Sequence, residues 1–169
     1  MSGGKIGRLY LDDLGDRLAK LRTLAERAMA QVDDEAFFRV GGEVENSISL
    51  LVKHLSGNLR SRWTNFLTSD GEKPDRDRDA EFEHRGGDDR AALMASWESS
   101  WEIAEETLRS LTTADLIRTV HIRGEPHTVV AALNRQLAHN AYHTGQIVHL
   151  ARHHAGDRWE TLSIPRRRS

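Results

Sequence analysis

Apolar positions recur every three or four residues through most of the chain, the spacing that gathers them on one face of an α-helix. Leu11, Leu14, Leu18, Leu21, Ala25 and Ala28 predict a first amphipathic helix over about residues 6–31. Ile48, Leu51, Val52, Leu55, Leu59, Trp63 and Phe66 form a second stripe, predicting a long helix from about Gly42 to Phe66. Between Thr68 and Arg90 the period dissolves into Ser69-Asp70-Gly71-Glu72-Lys73-Pro74 and an alternation of acids and bases, so residues 68–90 read as a long charged connection. A third helix is expected from about Asp88, whose side chain suits a cap, carrying Leu93, Trp97, Trp101, Ala104, Leu108 and Leu111 on one face. From Leu116 to His127, β-branched and polar residues alternate around Arg123-Gly124-Glu125, which predicts a small β-hairpin holding His121 and His127. The last helix extends from about Thr128 to Ala155, with Gly156 placed to cap its end. Four long helices joined by one extended crossover predict an all-α fold, a four-helix bundle in a single domain over residues 1–169. Cofactor sites in such bundles lie between facing helices.

Composition changes this picture mainly by exclusion. The chain has 169 residues, of which 38% are hydrophobic and 30% charged, as expected for a globular domain with a substantial core. It contains no cysteine, so disulfides, thiolate-ligated zinc and a cysteine nucleophile are excluded, and any thiol chemistry needs an external thiol. A formal net charge of −2 offers no footprint for nucleic acid, and the one basic cluster, Arg166-Arg167-Arg168, reads as a solvated tail at 165–169. No apolar run approaches a membrane span and the first residues lack the apolar stretch of a secretory signal. The cytoplasm is the expected compartment.

The candidate chemistry lies in histidine. With nine histidines in the chain, His-x-x-x-His spacing alone carries little weight, and two such pairs occur, His139/His143 and His149/His153. Angular position separates them. With about 100° per residue and Leu133 as zero, His139 and His143 fall roughly 120° and 80° to one side, on the flank of the apolar stripe. His149 and His153 fall on the solvent side, near a helix C-terminus where positive charge is mildly favourable. His54 occupies the same kind of flank on the second helix, with Ser47 and Asn58 beside it. Two helices thus present imidazole at the border of the buried face, and His54, His139 and His143 can form an open three-ligand site for a divalent ion such as nickel, zinc or iron. The bland alternative is three half-exposed histidines bonded to backbone or water.

At these residues the chain resembles the DinB-like, or YfiT-like, superfamily of bacterial helical-bundle proteins, in which a histidine late in helix two and a His-x-x-x-His pair in helix four bind a divalent metal. His54-Leu-Ser-Gly-Asn-Leu-Arg-Ser-Arg-Trp63, Thr68-Ser-Asp-Gly-Glu-Lys-Pro74 and Gln136-Leu-Ala-His-Asn-Ala-Tyr-His-Thr-Gly-Gln-Ile147 are similar to a branch catalogued as a domain of unknown function. The resemblance implies a metal site at His54, His139 and His143. It further implies a low-molecular-weight thiol as co-substrate, since some superfamily members are S-transferases acting with bacillithiol or mycothiol and others resemble thiol-using maleylpyruvate isomerases.

In that mechanism an external thiol, deprotonated beside the ion, attacks an electrophile; activation of water for hydrolysis is the alternative. Gln136, Asn140, Gln146, Asn58 and Tyr142 are candidates to orient ligands or substrate. Arg60, Arg62 and the Asp70 to Lys73 stretch are candidates to close over the site and hold carboxylates, against the plainer reading of a solvated surface with local ion pairs. No glutamate stands inside the His pair, which disfavours a zincin-type protease. A non-catalytic reading also stands, in which the metal joins two helices and the bundle dimerises, with Trp63, Trp97 and Trp101 available for the interface.

Overall fold

The computed structural model describes residues 2–42 and 45–164. The basic tail expected at 165–169, and residues 43 and 44 of the expected second helix, lie outside the described residues. The described chain is mostly helical, with α1 at Ser2–Met29, α2 at Asp34–Phe38, α3 at Ile48–Trp63, α4 at Arg90–Ser110 and α5 at Val129–Ala155. One antiparallel hairpin, β1 at Thr119–Ile122 and β2 at Glu125–Thr128, precedes α5.

Side-chain caps decide where four of these helices start. Asp33, Ser47, Asp89 and Thr128 accept the backbone N–H of Ala36, Leu50, Ala92 and Ala131 respectively, each satisfying a donor that the first turn leaves free. Three expectations about helix ends are corrected. The second long helix begins at Ile48 instead of Gly42, because Ser47 stops it. It ends at Trp63 instead of Phe66, where the chain turns through Asn65 in a left-handed conformation (φ 51°). The third long helix is capped by Asp89; Asp88 instead accepts from Lys53 Nζ at 3.1 Å and from the Arg85 N–H at 3.0 Å. Among the described residues five α-helices are found where four were expected, the addition being the single-turn α2, which buries Phe37 and Ala36.

α1 packs along α5 and α3 along α4, whereas α3 meets α5 and α1 meets α4 more sparingly. The core between them is formed by Leu11, Leu14 and Leu18 of α1, Leu51, Leu55 and Leu59 of α3, and Leu133 and Ile147 of α5. Trp63, Trp97 and Trp101 are each 1% exposed, with Trp97 and Trp101 edge to face. Burial of that extent removes them as an interface, correcting the expectation that they could serve one.

The connection from Thr64 to Asp89 is pinned along its length. Ser61 Oγ of α3 donates to the Gly71 carbonyl and accepts from the Lys73 N–H, while the Gly71 N–H donates to the His121 carbonyl of β1 at 2.8 Å. At the hairpin tip Arg123 and Gly124 both have positive φ (57° and 77°), as a two-residue type I′ turn requires. Asp70 accepts the N–H groups of both turn residues, each at 2.8 Å, so the turn and the connection hold each other. Farther along, a 3₁₀ turn at Asp79–Phe82 lies against α3. Among the described residues no helix is long and apolar enough to cross a membrane.

Candidate metal centre

α3 and α5 bring His54, His139 and His143 together. One ring nitrogen from each lies within 4.8 Å of the other two, close enough for the three to hold a metal ion. His54 Nε2 is 3.1 Å from His139 Nε2, and the ring centroids of the three histidines are 4.6 to 5.2 Å apart. Two imidazole nitrogens bound to one tetrahedral ion stand about 3.3 Å from each other, so the spacing suits shared ligation.

The outer nitrogens explain which atoms face inward. Glu81 Oε2 lies 2.8 Å from His54 Nδ1, and an ionised carboxylate only accepts, so the proton sits on Nδ1 and the Nε2 lone pair points at His139. Gln146 Oε1 accepts from His143 Nδ1 at 2.8 Å, which leaves Nε2 of that ring as the free donor atom. Among the described residues His139 has no hydrogen-bond partner on its buried Nδ1. Burial, followed by the nearby His143 and His54 rings and the guanidinium groups of Arg76 and Arg62, pushes His139 down to about 3. Burial also lowers His143, with Gln146 partly opposing it. His139 is therefore neutral at physiological pH, the form in which imidazole binds a cation. The donor set fits a divalent metal.

The histidines are more enclosed than their helical angles suggest. His54 is 3% exposed and His143 9%, because the Thr64 to Asp89 connection covers the flank of α3 and lays Phe82 against His54 at a centroid distance of 4.6 Å. The same segment supplies Glu81, which the sequence reading missed. Burial pushes the Glu81 carboxyl up, but hydrogen bonds from His54 and Arg76 together with the Arg76 charge hold it below its ordinary value. Arg76 Nε and Nη2 reach the two carboxylate oxygens at 2.7 and 2.8 Å. Gly57 of α3 makes the approach possible, since a Cβ there would collide with that carboxylate.

A cleft of about 400 Å³ opens beside the histidines, lined by Asn58, Gln136, Tyr142 and Phe82 and by Arg62, Arg76, Arg78, Arg123 and Arg135. Of the expected orienting residues, Gln136 donates to Asn58 Oδ1 at 3.0 Å and to Asn140 Oδ1 at 2.9 Å, tying α5 to α3 beneath the cleft. Gln146 holds His143, and Tyr142 stacks edgewise on it. Arg62 lines the cleft, whereas Arg60 is exposed and donates to Ser99 of α4. Lys73 is spent on the Ser61 and Asp70 carbonyls, and Glu72 takes Arg62, Arg76 and Arg123. The second His pair, His149 and His153, is exposed on α5 and joins no such cluster among the described residues.

A family described as "Protein of unknown function (DUF1572)" matches residues 5–168 of the chain. No curated protein and no solved structure matches it.

Proposed function

From the premise that this chain belongs to the DUF1572 family, whose description carries no activity, we propose that it is a divalent-metal-dependent enzyme of DinB-like architecture. Its four long helices would form the bundle, with His54, His139 and His143 as ligands and a low-molecular-weight thiol as co-substrate. The observation that carries this reading is the pair of Nε2 atoms, His54 and His139, 3.1 Å apart beside an open cleft. A site meant only to tie helices would be closed by protein groups, whereas this one adjoins space for a small molecule.

A divalent ion held there would supply Lewis acidity, favouring the deprotonated form of a thiol or water molecule that reaches it. The chain's own part is positional. Glu81 holds the His54 proton on Nδ1, Gln146 does the same for His143, and Phe82 and Tyr142 flank the space in which the reactants meet. The chain has no cysteine, so the thiol comes from outside. In the transfer, its sulfur forms a bond to an electrophilic carbon, the leaving group departs with the bonding pair, and the thiol proton passes to the leaving group or to solvent.

The test is elemental analysis of untagged protein, followed by a screen of low-molecular-weight thiols with electrophilic substrates on wild type and His143→Ala. Thiol-dependent turnover that disappears in the variant is the expected result. Turnover independent of thiol would replace this reading with a metal-dependent hydrolase, and bound metal with no turnover in any arm would favour the non-catalytic role.

A further inference from the structure

The cleft beside the histidines is unusually basic for a protein whose net charge is −2. Five guanidinium groups line it and no carboxylate does. Three of them are answered from behind: Glu72 pairs with Arg62, Arg76 and Arg123 at 3.0 to 3.2 Å, and Glu81 takes Arg76 as well. Arg78 lies over the Phe82 ring, and among the described residues the one carboxylate it reaches is the exposed Asp79, at 3.9 Å. Arg135, on α5 one turn before His139, pairs with no carboxylate among the described residues. Two carboxylates are thus shared among three arginines, and the remaining positive charge faces the cavity.

Arginines are costly to crowd in this way without a counter-charge. The Arg62 side chain is 11% exposed, and its buried Nη1 has no hydrogen-bond partner among the described residues. Burial lowers its basicity, and Arg76, Arg123 and Arg135 act in the same direction against Glu72. Such a group of planar, multidentate donors is what recognition of a carboxylate or phosphate uses. At about 400 Å³ the cavity matches a small molecule and is concave, unlike the extended basic surface that a polymer would need.

We propose that the cleft takes a small anionic molecule, its carboxylate or phosphate held by Arg135, Arg123 and Arg62, with the reacting end directed toward the three histidines. This deepens the function proposed above, and rests on it only for which end reacts; the anion site can be measured without any metal. Carboxylate and phosphate share the recognition chemistry, so both are probed.

The experiment is calorimetric titration of metal-stripped, full-length protein with succinate and, separately, with inorganic phosphate, at an ionic strength matched with chloride. Wild type, Arg135→Gln, Arg135→Lys and Arg109→Gln are compared, the last being a remote exposed arginine on α4. The expected result is saturable binding of at least one anion, weakened about tenfold in Arg135→Gln, partly kept in Arg135→Lys and unchanged in Arg109→Gln. Whichever anion binds more tightly identifies the group recognised. Absence of saturable binding, or equal affinity in wild type and Arg135→Gln, would overturn the proposal. Anion binding that persists in a protein unable to hold metal would leave the arginine site standing and remove only the metal reading.

Discussion

Glu81 sits behind His54, with its Oε2 2.8 Å from Nδ1 and its whole carboxylate clamped by Arg76. Fixing the tautomer from behind in this way raises the basicity of the inward nitrogen and orients the ring, and loss of such partners typically lowers metal affinity 10 to 100-fold. Glu81→Gln is expected to weaken metal binding by about that factor, measured by competition with a chromophoric chelator, with helical content unchanged. Glu81→Ala also takes from Arg76, whose side chain is 5% exposed, the nearer of its two carboxylate partners and leaves it Glu72 at 3.2 Å, and is expected to cost about 1.5 to 3 kcal/mol in denaturant unfolding. Unaltered metal affinity in Glu81→Gln would show that His54 needs no such partner.

Gly57 gives a second view of the same contact. Alanine in a helix interior ordinarily stabilises by about 0.5 to 1 kcal/mol over glycine. Here the added Cβ would meet the Glu81 carboxylate. Gly57→Ala is therefore expected to lose that gain and to lower metal affinity in the same direction as Glu81→Gln. A variant more stable than wild type with full metal affinity would contradict the packing described.

Asp70 supplies a pH signature for the docking of the hairpin. Burial pushes its carboxyl up, but backbone N–H groups of Glu72, Gly124 and Arg123 outweigh that and hold it down at about 2, against an ordinary 3.8. A depressed carboxylate contributes stability that is complete above the unfolded value and is lost as pH falls through the folded one. The difference in Tm between wild type and Asp70→Asn is thus expected to be constant above pH 3.8 and to shrink between there and about pH 2. A difference that grows on acidification has the wrong sign for this arrangement.

The sequence pattern located the long helices because each carries an apolar stripe for several turns, and it singled out His54, His139 and His143 because their angles differ from those of His149 and His153. Helix α2 was not legible: five residues are too few to show a period, although Asp33 three residues before Ala36 is a capping signal. The early start assigned to the second long helix has a similar cause, since Ser47 was read as a flank residue and is in fact the cap. Glu81 was hidden for a different reason. It is one of several acids in an alternating run with bases, and only the space at Gly57 and the reach of Arg76 select it to turn inward. The burial of the histidines was equally invisible, because a connection without periodicity gives no sign of which helix flank it will cover.

The central claim, that His54, His139 and His143 together hold one divalent ion, is tested most directly by metal stoichiometry. Untagged wild-type protein, stripped and reloaded separately with zinc, nickel and ferrous iron and then desalted, is compared by elemental analysis with His54→Ala, His139→Ala and His143→Ala. The account predicts one ion per chain in wild type for at least one of the metals, and near-complete loss in each variant with the fold retained by circular dichroism. Wild-type protein that keeps no ion, or any of the three variants that keeps a full equivalent, would contradict it.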